Sequence, residues 1–92
     1  MPGVHLLVSG RVQGVGFRWF VRTLALRLKL AGWVKNLPDG TVEIAAHGSD
    51  DRLKEFQKAV LRGPEGALVT AVEELVPVNE ALEHPFSVTH HR

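Results

Sequence analysis

The 92-residue chain has no cysteine. Disulfide cross-links, thiol nucleophiles and zinc–thiolate centres are thereby excluded, and folding rests on an apolar core alone. No apolar run approaches the roughly 20 residues that cross a bilayer as a helix. The N-terminus lacks the basic region and long apolar stretch of a secretion signal, so the expected compartment is the cytoplasm. Repeats, linkers and low-complexity segments are missing too, and the length is that of one domain, 1–92. Negative charge is absent from the first part of the chain. Residues 1–38 carry Arg11, Arg18, Arg22, Arg27, Lys29 and Lys35 and no acid, whereas residues 39–92 set ten acidic residues against five basic ones. A net charge of +1 thus conceals parts of +6 and −5. The basic part favours capture of an anion, small or polymeric.

Five histidines are present, and none has a metal-ligand spacing such as H-x-x-x-H within a helix. His5 and His47 fall on expected strands, His84 in a loop, and His90 and His91 near the end of the chain. Asp50-Asp51 and Glu73-Glu74 are adjacent rather than facing pairs, which suits a helix cap or a solvated surface better than acid–base work. No metal is expected.

What stands out is Gly10-Arg11-Val12-Gln13-Gly14-Val15-Gly16-Phe17-Arg18. It follows the alternating run Val4–Ser9, the period of a strand with one buried face. It leads into Phe17, Val21, Leu24, Ala25 and Leu28, an apolar stripe at helical spacing that Trp19, Phe20, Leu26 and Leu30 should widen. Strand, glycine-rich turn and helix in that order turn several N–H groups toward one point at the positive end of a helix, which suits a phosphate-sized anion. Gly14 and Gly16 tolerate positive φ and let a ligand approach bare backbone. Arg18 in the first helical turn opposes the helix dipole unless an anion is bound beside it, and its guanidinium matches phosphate oxygens bidentately. Two other phosphate motifs fail: the spacing G-x-x-x-x-G-K-[ST] is absent, and Trp19 stands where the dinucleotide fingerprint needs its third glycine.

Gly32 is expected to end the first helix. Trp33–Asn36 reads as a second strand, Leu37-Pro38-Asp39-Gly40 as a hairpin turn, and Thr41–His47 as the returning third strand. Ser49 and Asp50 should cap a second helix whose inward face is Leu53, Phe56 and Val60, stopped by Gly63-Pro64. Leu68–Val76 alternates imperfectly, with a bulge expected near Thr70-Ala71. After a loop from Pro77 to Pro85 comes a last strand, 86–90. The order βαββαβ, with room for a short extra edge strand, predicts an α+β, ferredoxin-like sandwich in which two helices cover one face of an antiparallel sheet. Fold alone decides no function here.

Residues 10–18 closely resemble the signature of the acylphosphatases, and Gly32-Trp33-Val34-Lys35-Asn36-Leu37-Pro38-Asp39-Gly40-Thr41-Val42-Glu43 resembles their second motif. Gly48, Gly63-Pro64, Ala67 and Val69 extend the likeness across nearly the whole chain. The resemblance implies a hydrolase that splits the carboxyl–phosphate bond of small acyl phosphates into a carboxylate and inorganic phosphate. It implies that Arg18 and the N–H groups of Gln13, Gly14, Val15, Gly16, Phe17 and Arg18 bind the phosphoryl group, which inorganic phosphate or sulfate should also do. It implies that Asn36 orients the attacking water, a residue otherwise read as a turn-side hydrogen-bonding group. No cofactor, metal, nucleic acid or membrane is implied, and the chain is expected to act as a free-standing monomer.

Two other readings fit parts of the pattern. RNA-recognition domains share the βαββαβ order, but they stack bases on aromatics of the central strands, and Val4–Ser9 and Thr41–His47 contain none. A module of larger maturation enzymes resembles acylphosphatases as well. Two departures from the family pattern remain. Lys29 stands where relatives often have glycine, at a strain of about 1 kcal/mol if φ is positive. The tail His90-His91-Arg92 runs slightly past the usual end, so no role for a terminal carboxylate is carried over.

Overall fold

The computed structural model describes residues 2–89. Seven elements follow one another: β1 (Gly3–Arg11), α1 (Phe17–Arg27), β2 (Ala31–Asn36), β3 (Val42–His47), α2 (Asp50–Arg62), β4 (Leu68–Leu75) and β5 (Ser87–Val88). They build a five-stranded sheet in the order β4-β1-β3-β2-β5, on which the two helices pack. No helix among the described residues is long and apolar enough to cross a membrane.

The strand alternation sets the core. Val4, Leu6 and Val8 of β1 and Val42 and Ile44 of β3 are buried, as is Val34 of β2, while His5, Leu7 and Ser9 lie on the half-open face. Onto this surface α1 places Phe17, Val21, Leu24 and Ala25, and α2 places Leu53, Phe56 and Val60. Complete burial of each large side chain contributes about 1.5–3 kcal/mol. Helix α2 is capped as its sequence predicts: Ser49 Oγ accepts from the Arg52 N–H at 3.4 Å, with Asp50 and Asp51 in the first turn.

Four strands are antiparallel, β1 with β3 and β4, and β2 with β3. The fifth is not. β5 pairs in parallel with β2, Trp33 opposite Ser87 and Val34 opposite Val88, so the sheet is mixed. The reason is topological. After β4 the chain reverses direction, but it crosses to the far edge of the sheet before pairing, and the strand it meets there runs the same way. The strand is also shorter than 86–90: Phe86 instead drops into the core against Phe56, with ring centroids 6.3 Å apart. Thr89 N–H still donates to Val34 O at 2.8 Å, and Gly32 N–H to Glu83 O at 3.0 Å. His90 and the tail His90-His91-Arg92 lie outside the described residues.

The expected bulge is present at Thr70, the residue left over as β4 shifts register against β1 between Ser9↔Ala71 and Gly10↔Val69. Gly10 makes it possible, since a Cβ there would lie 2.0 Å from Leu68 O. Three expectations for α1 change. Gly32 does not end the helix but lies inside β2, with φ 142° and Ala45 O 1.9 Å from where a Cβ would be. The helix closes earlier, at Arg27, and the left-handed turn beyond it falls to Lys29 (φ 57°). Nor do Trp19 and Leu26 widen the buried face: Trp19 is 64% exposed, with Arg22 stacked 5.1 Å from its ring centre.

Candidate active site

The turn after β1 runs through Gly14 (φ 74°) and Gly16 (φ 76°), the latter being the residue from which α1 starts. A Cβ added at either would meet nothing within 4 Å, so packing does not demand glycine there. The backbone conformation does, and the missing side chains leave the peptide groups open to a ligand. The contrast with α2 is informative. No side chain caps α1, and its first turn holds no acid and one cation, Arg18. Among the described residues, the orphan N–H groups and the dipole of this helix thus have no counter-charge in the first turn.

Asn36 comes to the same place from β2, of which it is the last residue, paired with Val42. A cavity of about 160 Å³ is lined by Val12, Gly14, Gly16, Phe17, Arg18, Trp19 and Asn36. Asn36 Oδ1 is buried and has no hydrogen-bond partner among the described residues. Such an atom costs about 1–3 kcal/mol unless something polar meets it. Arg18 has no acid within 4 Å among the described residues, where the ion pairs are those of Glu43 with His5 and Lys35 on the face away from the core.

The two halves of the cavity are tied together by Gln13. Its Nε2 donates to Leu37 O at 2.9 Å and Thr41 O at 2.8 Å, using both amide hydrogens across the β2–β3 hairpin that begins just after Asn36. The hairpin is fixed in turn by Leu37 N–H to Thr41 O at 2.9 Å and Gly40 N–H to Leu37 O at 3.2 Å. Asp39 Oδ1 accepts from the Thr41 hydroxyl at 2.6 Å and the Thr41 N–H at 3.0 Å. These two bonds, the hydroxyl's first, hold the Asp39 carboxyl below its ordinary value of 3.8.

Of the residues expected to bind the phosphoryl group, Gly14, Gly16, Phe17 and Arg18 line the cavity together with Asn36. Gln13 and Val15 do not: the Gln13 side chain faces the hairpin, and Val15 packs partly buried on the core. The bridging role of Gln13 has no local signature, because its partners are backbone carbonyls 24 and 28 residues downstream. Trp19 on the rim is also new, since it lines the site instead of widening the apolar face. Among the described residues, no three His, Asp or Glu side chains are grouped as a metal ion would need.

The acylphosphatase family profile matches residues 4–88, which takes in all of the elements above except the first residue of β1. The chain belongs to the acylphosphatase family. It is 54% identical over 68 residues to the acylphosphatase of Bacillus velezensis, covering 74% of this chain and 76% of that one. The crystal structure of acylphosphatase from Bacillus subtilis superposes with a TM-score of 0.84 at 45% identity, over 97% of this chain and 99% of that one. The T. kodakarensis HypF structure contains a similar unit, at a TM-score of 0.82 and 30% identity, which makes up 12% of that larger chain. The ferredoxin-like architecture and the family expected from the two motifs are thus both found.

Proposed function

We propose that this member of the family hydrolyses small acyl phosphates without a metal ion or organic cofactor. The observation that carries the reading is the meeting of Arg18, the uncapped start of α1 and the unpartnered Asn36 Oδ1 in one phosphate-sized cavity. Arg18 and the N–H groups of residues 13–18 bind the phosphoryl oxygens, and their positive charge balances what the phosphoryl group carries into the transition state. Asn36 accepts a hydrogen bond from the attacking water and holds it in line, without acting as a base.

Water oxygen forms a bond to phosphorus while the bond to the acyl oxygen breaks. The carboxylate leaves with that electron pair, and one water proton passes to a phosphoryl oxygen of the substrate. A carboxylate is a good leaving group, so positioning and charge stabilisation supply most of the catalysis. The protein acts as a monomer in the cytoplasm, and inorganic phosphate or sulfate occupies the same cavity. The test is hydrolysis of acetyl phosphate in the presence of EDTA. Turnover should persist, with competitive inhibition by phosphate and a phosphate-dependent rise in Tm. Activity that is absent, or abolished by EDTA, would overturn the proposal.

A further inference from the structure

A groove of about 500 Å³ adjoins the phosphoryl cavity, and Gly16 and Trp19 line both. It follows one stripe of α1, positions 16, 19, 20, 23, 24 and 27, with Ala59 and Arg62 of α2 opposite. Phe20, Leu24 and Ala59 give it an apolar wall, and Trp19 stands 64% exposed at the shared rim. Its charged lining residues are Arg27 and Arg62, and neither has an acid within 4 Å among the described residues. From Phe17 to Arg27 the helix rises about 15 Å.

We propose that this groove seats the acyl part of the substrate and selects an elongated apolar acyl group ending in a carboxylate. The inference rests on the acyl phosphate reading above, and three observations carry it. In-line displacement puts the attacking water and the leaving carboxylate on opposite sides of phosphorus. Asn36 lines the phosphoryl cavity but not the groove, which continues from the shared Gly16 and Trp19, so the groove is clear of the water-orienting side chain and open to the departing acyl group. Its volume far exceeds an acetyl group, and its apolar wall gains from every methylene it covers. The two arginines, with no acid within 4 Å among the described residues, complement a remote anion. An extended chain of about eight carbons covers roughly 10 Å, enough to bring its end within reach of the Arg27 side chain.

The test uses non-hydrolysable ligands on the full chain: methylphosphonate, octylphosphonate and ω-phosphonooctanoate, followed by calorimetry and by inhibition of acetyl phosphate hydrolysis. At about two-fold per methylene in a half-open groove, octylphosphonate should bind on the order of 100-fold more tightly than methylphosphonate. The terminal carboxylate should add about ten-fold, and Arg27→Gln and Arg62→Gln should remove that increment while keeping the dependence on chain length. Equal binding of methyl- and octylphosphonate would overturn the groove assignment even where acetyl phosphate is turned over. Concentration-dependent dimers whose formation octylphosphonate does not oppose would overturn it too, making the groove an interface between copies. A carboxylate without effect would overturn the selection of an anionic end. Failure to hydrolyse any acyl phosphate would count against the enzymatic reading alone, since calorimetry still reads the groove.

Discussion

Replacing Lys29 with glycine should stabilise the fold while leaving hydrolysis alone. Lys29 is the non-glycine residue with positive φ among those described, at 57°. The end of α1 holds it there. Leu30 N–H donates to Ala25 O at 2.9 Å and Lys29 N–H to Leu26 O at 3.1 Å, the paired bonds of a Schellman ending, in which the first residue past the cap is left-handed. Leu30 is locked in the core beside Gly48, where a Cβ would lie 2.3 Å from Leu30 Cδ2, so the turn cannot relax. A Cβ in this conformation costs about 1–2 kcal/mol. Glycine loses about 0.4–1 kcal/mol of that through its freer unfolded chain. The lost cation near the helix end removes about 0.3 kcal/mol more, although Arg27 remains there. The net gain is about 0.5 kcal/mol, or roughly 2–4 °C in Tm for a domain of this size. Urea unfolding should show a higher midpoint with an unchanged slope. Lys29→Ala is the control, since it keeps the Cβ and loses the charge, and it should be slightly less stable than the parent. A Lys29→Ala variant as stable as Lys29→Gly would refute the backbone argument, leaving removal of the lysine itself as the cause.

Other substitutions separate the parts of the site. Arg18→Ala should weaken phosphate inhibition and lower kcat together, whereas Asn36→Ala should keep phosphate affinity and lose on the order of 10² or more in kcat, about 2.7 kcal/mol; phosphate inhibition constants beside kcat for both variants decide, and the reverse pattern would exchange the two roles. Gln13→Ala should cost about 1–2 kcal/mol in urea unfolding and lower kcat, because two hydrogen bonds go but Leu37 O and Thr41 O each keep a backbone donor. Gln13→Glu should be worse in both assays, since a carboxylate would face two carbonyls. The depressed Asp39 carboxyl contributes stability that is present above its unfolded value of 3.8 and lost as pH falls through its lower folded value. Thr41→Val, which removes the first cause of that depression, should therefore flatten the fall of the urea midpoint below about pH 4; equal slopes in the two proteins would show that the bond is not retained in solution.

Much of this was legible wherever the information is local. Val4, Leu6 and Val8 announce a strand by period, Ser49 announces the start of α2 by its capping chemistry, and the register slip at Thr70 shows as broken alternation. The glycines misled where one residue type serves two purposes. Gly32 reads as a helix stop, yet it is needed because the Ala45 carbonyl of the neighbouring strand leaves no room for a Cβ, and sequence does not display that neighbour. The true stop at Lys29 has no local signature, because a residue poorly suited to the left-handed turn occupies it, and only the resemblance to relatives that carry glycine there pointed to it. At the site, Arg18 and Asn36 were legible through motifs that each lie within one stretch of chain. Gln13 as a brace was not, since its partners are carbonyls without side-chain identity. Trp19 is apolar but lies about 200° around the helix from Phe17, at roughly 100° per residue, so its spacing places it off the buried stripe and in solvent beside the groove.

The short β5 has a consequence for solubility. An open sheet ends in two rows of unpaired peptide groups, each a template on which a second chain can add a strand. Here one margin is β4, kinked at Thr70 and carrying Glu73 and Glu74 on an exposed strand, which makes it a poor template for a flat, uncharged neighbour. The other margin would be β2, six residues including Trp33 and Val34, with Lys35 as its one charge and no bulge against β3. It is masked by two residues of β5 and by the bonds from Thr89 and to Glu83 on either side. The segment from Pro77 to Thr89 thus acts as a guard: pinned by Phe86, it keeps this second margin of the sheet from meeting its like.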